Sequence, residues 1–125
     1  MREASVDGDL QALEALNLRI GELESADAGE GKAAAEAAGE LDRIIGPQLA
    51  FRKANGEIVG RDQFIHPETK NAARRDTEVT SISLHGDRAV VECMVTMAGT
   101  RYHNLRLFVR EGTEWKLLGW ANEPI

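Results

Sequence analysis

Four long apolar-rich stretches fill the C-terminal half of the chain: TEVTSISLHG, DRAVVECMVTMAG, TRYHNLRLFVREG and EWKLLGWANE. Only His85-Gly86-Asp87, Ala98-Gly99-Thr100 and Glu111-Gly112-Thr113 separate them. Glycine-centred connections this short leave no room for a crossover, so neighbouring strands must run antiparallel. A four-stranded meander is therefore the feature around which everything else must fold. Strict alternation sorts its side chains onto two faces. Tyr102, Asn104, Arg106 and Phe108 share one face of the third stretch; His103, Leu105, Leu107 and Val109 share the other. In the last stretch Trp115, Leu117, Gly119 and Ala121 fall together, opposite Lys116, Leu118, Trp120 and Asn122. The two tryptophans thus read as facing opposite ways, and a single bulge would reverse that assignment.

The N-terminal half has a different period. Leu10, Leu13, Leu16, Ile20 and Leu23 recur at spacings of three and four, the signature of one helix face. Ser5 or Asp7 suits its N-cap. A second helix is predicted over 32–45, rich in small residues (AAAEAAGE) and ended by Gly46-Pro47. LAFRKA and EIVG then read as short strands around a tight Asn55-Gly56 turn. A short third helix follows in GRDQFIHPETKNA, with Asp62 as its cap and Pro67 at a break or a new turn. The order is helix, helix, hairpin, helix, meander: an α+β chain with helices on one face of a sheet, in one domain over residues 1–125.

A net charge of −6 lacks the basic face that nucleic-acid backbones require. No stretch approaches a membrane span or a signal-peptide core, so a cytoplasmic protein with no membrane partner is expected. The lone Cys93 sits in an apolar strand and reads as a buried structural thiol. The histidines are scattered and match no metal-ligand spacing, so no metal is expected.

The element order, with the words LAFRKANGEIVGRDQFI and NLRLFVREGTEWKLLGWANEP, resembles the nuclear transport factor 2-like superfamily. That superfamily includes the ketosteroid isomerase-like and SnoaL-like proteins, and the likeness is nearest to its small bacterial members of unknown function. The resemblance runs from about Leu10 to Pro124. It implies a curved antiparallel sheet wrapped around the N-terminal helices as a cone, a pocket at the open end, and a homodimer paired through the outer sheet face. It implies no cofactor, and a small hydrophobic molecule as the partner. A fold of this kind hosts isomerases, dehydratases, binding proteins and association domains, so activity has to be argued from the site.

Ketosteroid isomerase-like chemistry needs a base and donors awaiting an oxyanion. The first helix here has no tyrosine, and no base stands near Phe51-Arg52-Lys53. The acid–base candidates are His66, before Pro67 near the expected pocket mouth, and His103, mid-strand on the more apolar face; near-neutral titration suits either to proton transfer. His85, in a turn, reads as exposed. Trp120 with Asn122 offers an apolar wall with a polar end, as a small-ligand site requires. Tyr102 and Asn104 line either that pocket or a dimer face, and Asn17, one turn after Leu13, faces the cone. The leading expectation is a small-molecule-binding domain. An acid–base enzyme on a hydrophobic substrate, or a purely structural dimerisation domain, is the alternative.

Overall fold

A computed structural model describes residues 2–27, 31–65 and 73–125, with the side chains of 2–6 and 27 left aside. Helices α1 (Arg2–Asp27) and α2 (Gly31–Ile44) precede strands β1 (Ile45–Arg52) and β2 (Ile58–Gly60). A short α3 (Arg61–Ile65) leads to the meander β3 (Arg75–His85), β4 (Arg88–Met97), β5 (Thr100–Glu111) and β6 (Glu114–Pro124). The strands form one curved, open six-stranded sheet in the order β2-β1-β6-β5-β4-β3. All neighbours are antiparallel except β1 and β6, which run parallel. The expected α+β architecture is the one observed.

The predicted helix face forms. Leu13, Ile20 and Leu23 of α1 are buried, as are Ala37, Leu41 and Ile44 of α2. They meet the inward residues of the sheet: Ala89, Val91, Cys93 and Val95 from β4, Phe108 from β5, and Leu117 from β6. Each of the leucines, isoleucines and valines and Phe108 among them contributes about 1.5–3 kcal/mol by leaving water, and the alanines less. Cys93 is buried as expected. Arg19 ties α1 to α2 with two bonds to the Glu40 carboxylate, at 3.0 and 3.1 Å. The pair is exposed to solvent, so it orients more than it stabilises.

Local expectations differ from the structure in four places. Helix α1 starts at Arg2, so Ser5 and Asp7 lie inside it and do not cap it. Asp62 likewise lies in the first turn of α3, with Gly60 before it in the sheet. The β1–β2 turn is wider than two residues. Lys53 N–H donates to Glu57 O at 2.8 Å, and the Asn55 side chain accepts from Glu57 N–H at 2.9 Å. Only Gly56, at φ 92°, is left-handed there. Gly46-Pro47, expected to end the second helix, instead belongs to β1. A Cβ on Gly46 would sit 3.2 Å from Leu117 O, so a bare backbone lets β1 lie against β6.

The decisive departure is a bulge in β6. Leu107 faces Gly119 across the ladder, but the next residue, Phe108, faces Leu117. Leu118 is the extra residue, and it shifts the alternation by one. Trp115 and Leu117 point at the core before it; Trp120 does so after it. The tryptophans therefore share the inner face, contrary to the alternation reading. A second bulge leaves Thr80 extra between Val79 and Ser81, so Val79 precedes it and Ile82 and Leu84 follow it on the core side of β3.

Candidate functional site

The inner face of β5 carries Asn104, Arg106 and Phe108, all buried. Asn104 and Arg106 are paired in register with Asn122 and Trp120 of β6, and Asn104 also with Cys93 of β4. Asn17 of α1 lies over them, fully buried. These residues form one hydrogen-bonded cluster. Arg106 Nη1 donates to Asn17 Oδ1 at 3.1 Å and to Asn17 O at 3.3 Å. Arg106 Nη2 donates to Asn104 Oδ1 at 3.0 Å, and Trp120 Nε1 donates to the same oxygen at 2.8 Å. Asn104 Nδ2 then donates to Asn122 Oδ1 at 3.0 Å. Asn17 Nδ2 donates to Leu13 O at 2.7 Å.

Arg106 is the unusual member. Its relative exposure is 0%, and it forms no ion pair with a carboxylate among the described residues. Its guanidinium stacks on the Trp120 ring, 4.3 Å from the centroid. Its Nε–H is buried with no acceptor among the described residues. Burial lowers its pKa, opposed by the Cys93 sulfur and Glu24. Burial raises the Cys93 pKa, opposed by Arg106, so the residue stays a thiol at neutral pH. Placing a charge out of water with no carboxylate in contact costs several kcal/mol, which the amide oxygens, the indole face and the through-space pull of Glu24 offset only in part.

Above the cluster stand three aromatic rings. Phe51 lies beside Trp120 because β1 pairs in parallel with β6, Phe51 opposite Trp120. Their centroids are 4.9 Å apart; Phe64 of α3 closes the group at 5.2 Å from Phe51 and 5.4 Å from Trp120. Trp120 is buried, whereas Phe51 and Phe64 are half-exposed. Arg52 Nη1 reaches Asn122 O at 3.4 Å alongside.

A second arginine on the same strand makes the contrast plain. Arg110 also stacks on a β6 tryptophan, 4.5 Å from the Trp115 centroid. It holds the Asp9 carboxylate of α1 with both Nη atoms. That pairing raises the Arg110 pKa and depresses that of Asp9.

Of the residues singled out from sequence, Asn17, Asn104, Trp120 and Asn122 meet in the cluster. Tyr102 is half-buried further along β5 and makes no hydrogen bond to it among the described residues. His103 lies on the outer sheet face with its side chain 38% exposed, its Nε2 3.0 Å from Glu92 Oε1 of β4. That face was read as the core face from Leu105, Leu107 and Val109; Leu105 and Leu107 are in fact 36% and 39% exposed. His66 and Pro67 lie outside the described residues. His85 is exposed, its Nε2 2.7 Å from Ser83 Oγ. Arg106, Phe51 and Phe64 were not singled out as site residues. Alternation had placed Arg106 beside Asn104, which was the available signal. Among the described residues no group of three or more His, Cys, Asp or Glu is arranged to hold a metal. No helix there is long and apolar enough to cross a membrane.

The same arrangement of helices and curved sheet occurs in solved bacterial proteins. A nuclear transport factor 2-like protein of unknown function from Silicibacter pomeroyi DSS-3 superposes with a TM-score of 0.76 at 17% identity, covering 96% of this chain and 98% of its own. This chain has the nuclear transport factor 2-like fold. A nuclear transport factor 2-like protein from Cytophaga hutchinsonii ATCC 33406 gives 0.62 at 17% identity, over 100% and 98% of the two chains. One of unknown function in nutrient uptake from Rhodospirillum rubrum ATCC 11170 gives 0.63 at 21% identity, over 70% and 84%. No protein-family model and no curated protein matches the sequence. At these identities the nuclear transport factor 2-like likeness is one of fold.

Proposed function

We propose that this chain is a small-molecule-binding protein, one domain whose site opens at the Phe51–Phe64–Trp120 cluster and ends on Asn17, Asn104, Arg106 and Asn122. The observation that carries this reading is the buried Arg106 guanidinium, with no carboxylate in contact and an unpartnered Nε–H among the described residues, beside half-exposed aromatic rings. Partly exposed aromatic walls over a few convergent polar groups are what small-ligand sites consist of. Binding is favoured over acid–base catalysis because the cluster members are amides, a guanidinium, an indole and a thiol, none of which exchanges a proton readily near neutral pH. Native mass spectrometry of the gently purified protein, with a fluorescence screen on Trp120, tests the reading. Retained or saturably bound small molecules whose signal is lost in Phe51→Ala supports it; no saturable ligand in either experiment contradicts it.

The outer sheet face supports a homodimer. Leu105 and Leu107 are exposed there, next to half-buried Val90 and Met94 and the His103–Glu92 pair. Exposed apolar side chains grouped on a sheet mark association surfaces. Light scattering at micromolar concentration is expected to give twice the chain mass, and Leu105→Glu with Leu107→Glu to give the monomer. A wild-type monomer would end the dimer reading and, with it, a purely structural dimerisation role.

A further inference from the structure

The hydrogen-bond polarity of the cluster says what kind of group it takes. An indole N–H and a guanidinium can only donate. Trp120 and Arg106 both donate to Asn104, so the atom they share must be its carbonyl oxygen Oδ1. The Asn104 amide nitrogen is thereby a donor, and it is spent on Asn122 Oδ1. That fixes Asn122 in turn: its remaining polar group, Nδ2, is a donor, and it makes no hydrogen bond among the described residues. The Asn17 amide oxygen is held by Arg106 and its nitrogen by Leu13 O. Each side-chain amide oxygen is therefore engaged at least once, and the two groups that make no hydrogen bond at all among the described residues, Arg106 Nε–H and Asn122 Nδ2–H, both donate. The cluster also holds one positive charge with no carboxylate in contact with it among the described residues; Glu24 acts on it only through space.

From this polarity we infer that the site takes a small monocarboxylate with a flat apolar body. The ligand must bring acceptors and one negative charge, which a carboxylate does; a phosphate dianion would leave a surplus negative charge beside a single guanidinium. Charge-assisted bonds of this kind are the strong ones, and a planar guanidinium matches a planar carboxylate. The apolar body goes against Phe51 and Phe64, the half-exposed members of the ring cluster. The inference rests on the binding reading above and names its ligand class.

Acetate, benzoate and phenylacetate, each against its neutral amide, are the probes. Calorimetry on the wild-type protein is expected to show benzoate or phenylacetate binding at least tenfold more tightly than the matched amide. In a parallel nuclear magnetic resonance titration the Arg106 Nε–H proton resonance should move downfield and saturate, a readout that needs no variant. Arg106→Met should weaken the carboxylates at least tenfold and leave the amides unchanged. Asn122→Ala, which disturbs the core least, should weaken the carboxylates several-fold. Carboxylates and amides binding equally, with the Arg106 Nε–H resonance unmoved, would overturn the carboxylate inference and leave the binding reading standing. No saturable response to any probe would overturn both.

Discussion

Two arginines on β5, four residues apart, each stack on a tryptophan of β6, yet their surroundings are opposite. Arg110 holds a carboxylate, Asp9, with both Nη atoms, and each partner's pKa moves in the direction that strengthens the pair. Arg106 is more deeply buried and holds only amide and carbonyl oxygens, and burial pulls its pKa the other way. The first is a fastening between α1 and the sheet, complete within the chain. The second is a charge that the fold shields and orients without neutralising. Chains commonly bury a charge only with its partner. A position that departs from that rule, inside an otherwise satisfied network, is where function is expected to offset stability.

The largest effect is expected from removing what puts both tryptophans on one face. Deleting Leu118 erases the β6 bulge and would turn either Trp115 and Leu117 or Trp120 and Asn122 outward. A loss of about 4 kcal/mol or more is expected, from several core side chains at once, read as a collapse of the urea midpoint. A smaller effect should follow from Arg110→Met, about 1–3 kcal/mol, because Asp9 is left half-buried without its charge-assisted bonds. Asp9 also predicts a pH dependence. Its folded pKa lies below the ordinary 3.8, so its stabilisation is complete above that value and is lost as pH falls through the lowered folded value. Asp9→Asn should flatten that part of the acid-unfolding curve measured by circular dichroism; an unchanged curve would show the pair to be energetically idle. The smallest effect is expected on the outer face: His103→Ala should change monomer stability by less than about 0.5 kcal/mol, because the His103–Glu92 pair is exposed.

What could be read from sequence divides along the same line. The meander was legible because glycine turns and alternation are local. So was Asn17, one helical turn from Leu13 and three residues before Ile20. The β6 faces were not, since one inserted residue reverses alternation without leaving any compositional mark, and Leu118 looks like any other strand leucine. The β5 faces misled for a physical reason: His103, Leu105, Leu107 and Val109 are the more apolar set, yet they face outward, while Asn104 and Arg106 face in. Here the outer face exposes Leu105 and Leu107 while the inner face buries Asn104 and Arg106, the reverse of the usual rule. Phe51 meets Trp120 through the parallel β1–β6 pairing and Phe64 joins them from α3, contacts between residues distant in sequence.

Arg106, unlike Arg110, is not needed to hold the fold. Urea unfolding of Arg106→Met, alongside Arg110→Met, tests this most directly. With no ligand present, Arg106→Met should lose less than Arg110→Met, because removing a buried charge that no carboxylate contacts offsets the donors lost to Asn17 and Asn104. A loss equal to or greater than that of Arg110→Met would contradict the account and make Arg106 a structural residue.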